Sequence, residues 1–342
     1  MKKLAEYDQS AVKLAQSASQ TILRFNLHRE LTQRPPNELL FHYTNADGLK
    51  GIIENNELWA SSAYFLNDPN EITYGYDLLR EALEKSLRDA EKLGEKNSLK
   101  ITLVTELCRF FGDDLLKKKI ITPIYLVCFC EEDNLLSQWR AYGQAGGYSI
   151  GLRVPTVETA SEGQGFRAEP VTYTSVWAKV EYDKTEQTKQ CSALLNSMLG
   201  TLNLETCEAI RRLSDHPFLG YNSFARVIRE ILLEEVLRFK NEAFKVEKEW
   251  RIIIRQRELK KQSMDDGGKS PLSIYFRSLR GMLVPYVKLI PANPALNTLP
   301  IKRIRTGPTL DKETAKMAIS LMLEKKGYPG VKVEGSDIAV RF

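Results

Sequence analysis

The longest nearly unbroken apolar run, residues 120–130, has eleven residues and contains Pro123. That is the length of a strand and well short of the roughly 20 residues an apolar helix needs to cross a bilayer. The other apolar runs are as short, and they alternate with segments of helical period. Strands are expected over 39–43, 58–61, 124–130, 148–153, 168–173 and 176–182, and again over 273–276, 282–290, 301–305, 331–333 and 338–342. Helices are expected over 46–55, where Leu49, Ile52 and Ile53 form one apolar stripe, from Asp68 to about 94, and over 98–118, 184–214, 218–239 and 311–325. Such a mixture describes an α+β chain. We expect one mixed domain over 37–342 with a helical insertion at about 184–240. A helical extension over 1–36 precedes it, stopped by Pro35 and Pro36.

Charge and cysteines narrow the class. The 49 basic and 44 acidic residues leave a net charge of +5, which permits a nucleic-acid partner without arguing for one. Five cysteines, with no CxxC pair, fit unpaired thiols in a reducing compartment. The first 20 residues lack the apolar core of a signal peptide, so a cytoplasmic protein with no membrane partner is expected. The three histidines are scattered, and no metal site is expected.

Three places could carry chemistry. In "VEKEWRIIIRQ", strand alternation puts Glu247, Glu249, Arg251, Ile253 and Arg255 on one face. That face is either a charged surface meeting water or a pair of carboxylates oriented by Arg251 at the mouth of a cleft. In "SQWRAY", Arg140 offers a planar fork for phosphate or carboxylate. Trp139 and Tyr142 could stack on a flat ring or belong to the core. His42, at the end of the first strand, is by itself more often a hydrogen-bonded core residue than a catalytic one. No GxSxG or Walker loop accompanies it. Thr44 or Asn45 is placed to cap the helix that follows, and Asp68, Pro69 and Glu71 read as a capping box.

Taken together, "FHYTNADGLKGIIENNELWASSAYFLNDPNE", "VCFCEEDNLLSQWRAYGQAGGYSIGL", "EKEWRIII" and the ending from "RTGPTLDKETAKM" onward resemble the bacterial family known as domain of unknown function 2971. The likeness runs in order from about Leu39 to Phe342. Two pieces are also similar to ADP-ribosyltransferases. These are His42-x-Thr44 followed by Gly48-Leu49-x-x-Ile52, and Glu247-x-Glu249 leading into a strand.

That second resemblance implies a mixed, largely antiparallel sheet core and NAD as co-substrate. It gives Glu249 the task of stabilising the oxocarbenium-like ribose and Glu247 that of orienting or activating the acceptor. His42 and Thr44 would hold a ribose hydroxyl, Tyr43, Trp139 or Tyr142 would stack on nicotinamide, and Arg140 would meet the pyrophosphate. Asn67, Asp68, Glu71 and Arg251 are further candidates for contacting substrate. The acceptor would be nucleic acid or protein, as for a toxin or phage-defence effector. Two other readings stay open. One is a nucleic-acid-binding or -cleaving protein using Arg140, Arg251, Arg255, Lys302, Arg303 and Arg305 on phosphates; the other is a non-enzymatic ligand sensor or interaction module.

Overall fold

The opening motif folds as its period predicts. Strand β1 (Leu39–Thr44) runs into helix α1 (Ala46–Asn55), and β2 (Leu58–Ser62) follows. Asn45 is the N-cap: its side chain accepts from the Gly48 amide at 2.9 Å. The helix stops at Asn56, whose left-handed φ of 59° lets its amide reach back to the Ile52 carbonyl. In this computed structural model the described residues are 39–66, 68, 70–92, 101–105, 107–108, 124–143, 146–154, 166–168, 175–200, 232–255, 273–279, 281–291, 298–308 and 310–339. The expected N-terminal extension lies outside them.

The remaining elements are a short 3-10 turn (Ala63–Phe65), α2 (Glu71–Lys92), β3 (Ile124–Cys130), α3 (Leu136–Tyr142), β4 (Tyr148–Arg153), β5 (Phe166–Ala168) and β6 (Ser175–Lys179). After them come α4 (Lys184–Gly200), a 3-10 helix (Glu242–Glu247), β7 (Glu249–Arg255), β8 (Tyr275–Leu279), β9 (Met282–Pro291), β10 (Ile301–Thr306), α5 (Lys312–Lys325) and β11 (Lys332–Gly335). Asp311 caps α5 by accepting from the Thr314 amide at 2.8 Å. A strand expected over 338–342 does not form at Ile338 and Ala339; the last three residues lie outside the described ones.

The described residues fall into two compact units. One is helical. In it Gly75 of α2 meets the backbone at Val236, where a Cβ would come within 2.5 Å of the Val236 carbonyl. Tyr74 donates to the Gln187 side chain of α4 at 2.7 Å, and buried Lys240 lies 3.6 Å from Glu71. None of the described helices is long and apolar enough to cross a membrane.

The other unit is the sheet, with path β11-β10-β4-β1-β3-β2-β9-β5; β7 with β6, and β8, lie off that path. The fold is α+β. Every pairing of its strands is antiparallel except β10 with β11. One face is covered by α1 and α5, which bury Leu49, Ile52, Ile53, Ile319 and Leu323 against Leu40, Ile150, Leu152 and Ile252. On a smaller second cluster Phe41, Tyr43, Cys130 and Trp139 pack together, joining β1 to α3.

Strand β3 creates the feature that matters for function. Strand β7 occupies one of its edges along the whole length, from Ile124 opposite Arg255 to Cys130 opposite Glu249. The other edge is shared. Strand β1 touches it at one end, Phe41 opposite Cys130, while β2 pairs at the other end with Tyr125 and Leu126. Between them the sheet forks, and Val127 to Phe129 face the gap.

Candidate functional site

His42 stands in that fork. Its Nδ1 lies 2.9 Å from the Cys128 carbonyl oxygen, a group on the shared edge of β3. A carbonyl only accepts, so Nδ1 carries the proton. Burial lowers the imidazole pKa below its ordinary value, opposed by the Cys128 bond and reinforced by the nearby Arg277 cation. The ring is therefore neutral near pH 7, with a lone pair on Nε2.

Two hollows meet at this histidine. The larger is a cleft with about 190 Å³ of solvent space, lined by His42, Thr44, Trp59, Ser61, Tyr142 and Arg277 among others. It is smaller than the roughly 300–1,000 Å³ of a site enclosing a drug-sized ligand. Glycines open its α1 side: a Cβ at Gly48 would fall 1.9 Å from Thr44 Oγ1. The smaller hollow is a niche of about 30 Å³, enough for a water or two. His42, Tyr43, Cys128 and Tyr142 line both, and Gln138, Glu247 and Glu249 line the niche.

Glu249 and Arg251 form a buried, two-pronged pair. Arg251 Nε donates to Glu249 Oε1 at 2.8 Å and a terminal nitrogen to Oε2 at 3.1 Å, with Arg251 at 0% and Glu249 at 3% exposure. The alternation expected from Glu247 through Arg255 starts later than the sequence suggests. Glu247 belongs to the 3-10 helix, and Lys248 turns the chain with a φ of 42° before β7 begins. Nor does the charged face of β7 meet water. Glu249 and Arg251 are buried on one side, and on the other Trp250, Ile252 and Ile254 join the main core, while β3 and β6 pair with the strand's two edges.

The segment before Tyr142 is held by Tyr43. The buried Tyr43 hydroxyl donates to the Glu132 carbonyl and accepts from the Leu135 amide, both at 2.9 Å, which fixes the turn entering α3. Burial raises its pKa far above the ordinary phenol value. Trp139 is not open to a ligand: it is 2% exposed, edge-on to Tyr43 at 4.8 Å, and donates to the Asn134 side chain at 3.0 Å. Arg140 is exposed and lines neither hollow. Tyr142, 36% exposed, lines the cleft, as does the buried Tyr43.

Of the other expected substrate contacts, Asn67 lies outside the described residues. Asp68 and Glu71 belong to the helical unit. There Asp68 accepts from the Asn70 amide at 2.9 Å, in keeping with a capping role, and Glu71 is buried beside Lys240. Among the proposed phosphate contacts, Arg303 and Arg305 share Asp133 and Glu334 at 3.0–3.6 Å and Arg251 is buried on Glu249, so these cations are already engaged.

Sequence reasoning missed Arg277. It reaches the cleft from β8, donates to Ser61 Oγ at 2.9 Å and stands 5.9 Å from the Trp59 ring centre. The alternation of Tyr275, Arg277 and Leu279 was the available signal, but the expected strand ended at Phe276.

Comparison with known proteins gives one match: residues 138–252, about a third of the chain, fit the family model described as Protein of unknown function (DUF2971). No curated protein and no solved structure matches the chain. The resemblance to the DUF2971 family thus holds over the stretch that carries α3, Glu247, Glu249 and Arg251.

Proposed function

We propose that the chain is an ADP-ribosyltransferase-like enzyme that cleaves NAD and passes ADP-ribose to a macromolecule. The finer assignment of the sheet core to the ADP-ribosyltransferase type belongs to the same proposal. One observation carries it: His42, Tyr142, Glu247 and Glu249, far apart in sequence, line one niche beside a cleft. The nicotinamide riboside half enters the fork, and the rest of NAD extends outward. Nε2 of His42 accepts from a ribose hydroxyl, with Thr44 beside it, and Tyr142 stacks on nicotinamide.

The bond from ribose C1′ to the pyridinium nitrogen breaks, its electron pair neutralising nicotinamide. Glu249, its plane fixed by Arg251, faces the positive charge left on the sugar. A nucleic-acid or protein nucleophile then bonds to C1′ and gives its proton to Glu247.

The test is nicotinamide release from NAD by the full chain, with total nucleic acid and, separately, total protein supplied as acceptors. The wild type releases nicotinamide, and His42→Phe lowers the rate by about a hundredfold through loss of ribose positioning. Because the folded chain holds His42 neutral, its contribution stays level as pH falls through the ordinary imidazole range. No release with either acceptor, or equal rates for the two proteins, overturns the reading.

A further inference from the structure

Among the described residues no carboxylate pairs with Arg277, a half-buried cation. Its partners are Ser61 Oγ at 2.9 Å and the Trp59 ring at 5.9 Å, and its Nε is buried without a hydrogen bond. Glu57, just before β2, is engaged elsewhere: it accepts from Trp59 Nε1 at 2.8 Å and pairs with Lys288 at 3.0 Å. Behind the guanidinium stands a stack of rings, Trp59 on Tyr286 at 4.5 Å and Tyr286 on Tyr275 at 5.6 Å. These rings flank Arg277, which lines the cleft.

Burial without a counter-ion is costly for a guanidinium, and desolvation here lowers the Arg277 pKa. An incoming anion removes that cost and finds a planar fork suited to two oxygens at once. His42, which also lines the cleft, offers an acceptor for a hydroxyl. A ligand satisfying both carries a hydroxylated sugar and an anionic group.

We propose that Arg277 is the anion subsite of the cleft and binds the phosphate oxygens of a pyrophosphate-bearing nucleotide. The identity of that nucleotide as NAD rests on the function proposed above; the subsite itself rests on the geometry of Arg277, Ser61 and Trp59.

Calorimetric titration of the full chain with inorganic pyrophosphate and with ADP-ribose tests this. The wild type binds both, and Arg277→Gln weakens both by about tenfold to a hundredfold, the loss expected for charge-assisted hydrogen bonds. Arg277→Lys keeps part of the affinity, and Arg277→Gln melts with the wild type because glutamine can still reach Ser61. The proposal is overturned if the wild type binds neither probe, if Arg277→Gln binds them unchanged, or if Arg277→Gln melts well below the wild type, which would mark a structural arginine. Pyrophosphate binding through Arg277 without any NAD cleavage upholds the subsite while the NAD reading fails. NAD cleavage with an unchanged KM in Arg277→Gln does the reverse.

Discussion

Glu249→Gln lowers folding stability by about 3–5 kcal/mol, the range for removing one partner of a buried ion pair. Arg251 has no exposed surface and directs two nitrogens at the two oxygens of Glu249. A glutamine offers one acceptor oxygen in place of two, turns an N–H toward the guanidinium, and removes the negative charge beside a buried cation. The pair as a whole is worth far less, because desolvating two ions cancels most of their attraction. Replacing both, as in Glu249→Leu with Arg251→Met, therefore restores most of the loss. Urea unfolding of the two single variants and the double variant measures the coupling. Additive losses would mean that the pair contributes no specific interaction. One consequence bears on function: loss of activity in Glu249→Gln counts as chemical evidence only at a temperature where that variant is shown to be folded.

Trp139→Ala is expected to be comparably severe, about 3–5 kcal/mol, the range for removing a large buried aromatic. Its ring fills the cluster with Phe41, Tyr43 and Cys130, and its Nε1 donates to Asn134, which also accepts from Ser336 at 2.7 Å. The neighbouring Arg140→Ala falls within about 0.5 kcal/mol of the wild type, as exposed substitutions usually do. Thermal melts of the two variants check the contrast. If Trp139→Ala melted with the wild type but lost ligand affinity, the ring would be a ligand platform and not core.

This contrast shows where the sequence is legible. The strand β1, the helix α1 and the Asn45 and Asp311 caps depend on neighbours within a few residues, and periodicity with cap chemistry reveals them. Whether Trp139 or Tyr142 points to ligand depends on the few residues before α3, where the Tyr43 hydroxyl takes the Leu135 amide. No local pattern encodes that contact between positions 92 residues apart. The fork is similar: it exists because β1 and β2 share one edge of β3, a matter of long-range register. The alternation read from Glu247 onward starts two residues before β7 does, because Lys248 adopts a left-handed turn that lysine seldom takes. Arg277 is not legible as a site residue because a single arginine in a strand has no motif; what distinguishes it is that no carboxylate among the described residues pairs with it.

The site that emerges differs in emphasis from the one the resemblance implied. His42, Thr44, Tyr142, Glu247 and Glu249 gather around the fork. Tyr43 also lines both hollows, while Trp139 and Arg140 line neither. The central claim is that this fork receives the nicotinamide riboside half of NAD, and a crystal of the full chain soaked with NAD tests it most directly. The account predicts density between Tyr142 and Glu249, with a ribose hydroxyl about 3 Å from Nε2 of His42, a hydrogen-bond distance. An empty fork at saturating NAD, or NAD bound elsewhere on the chain, would contradict it.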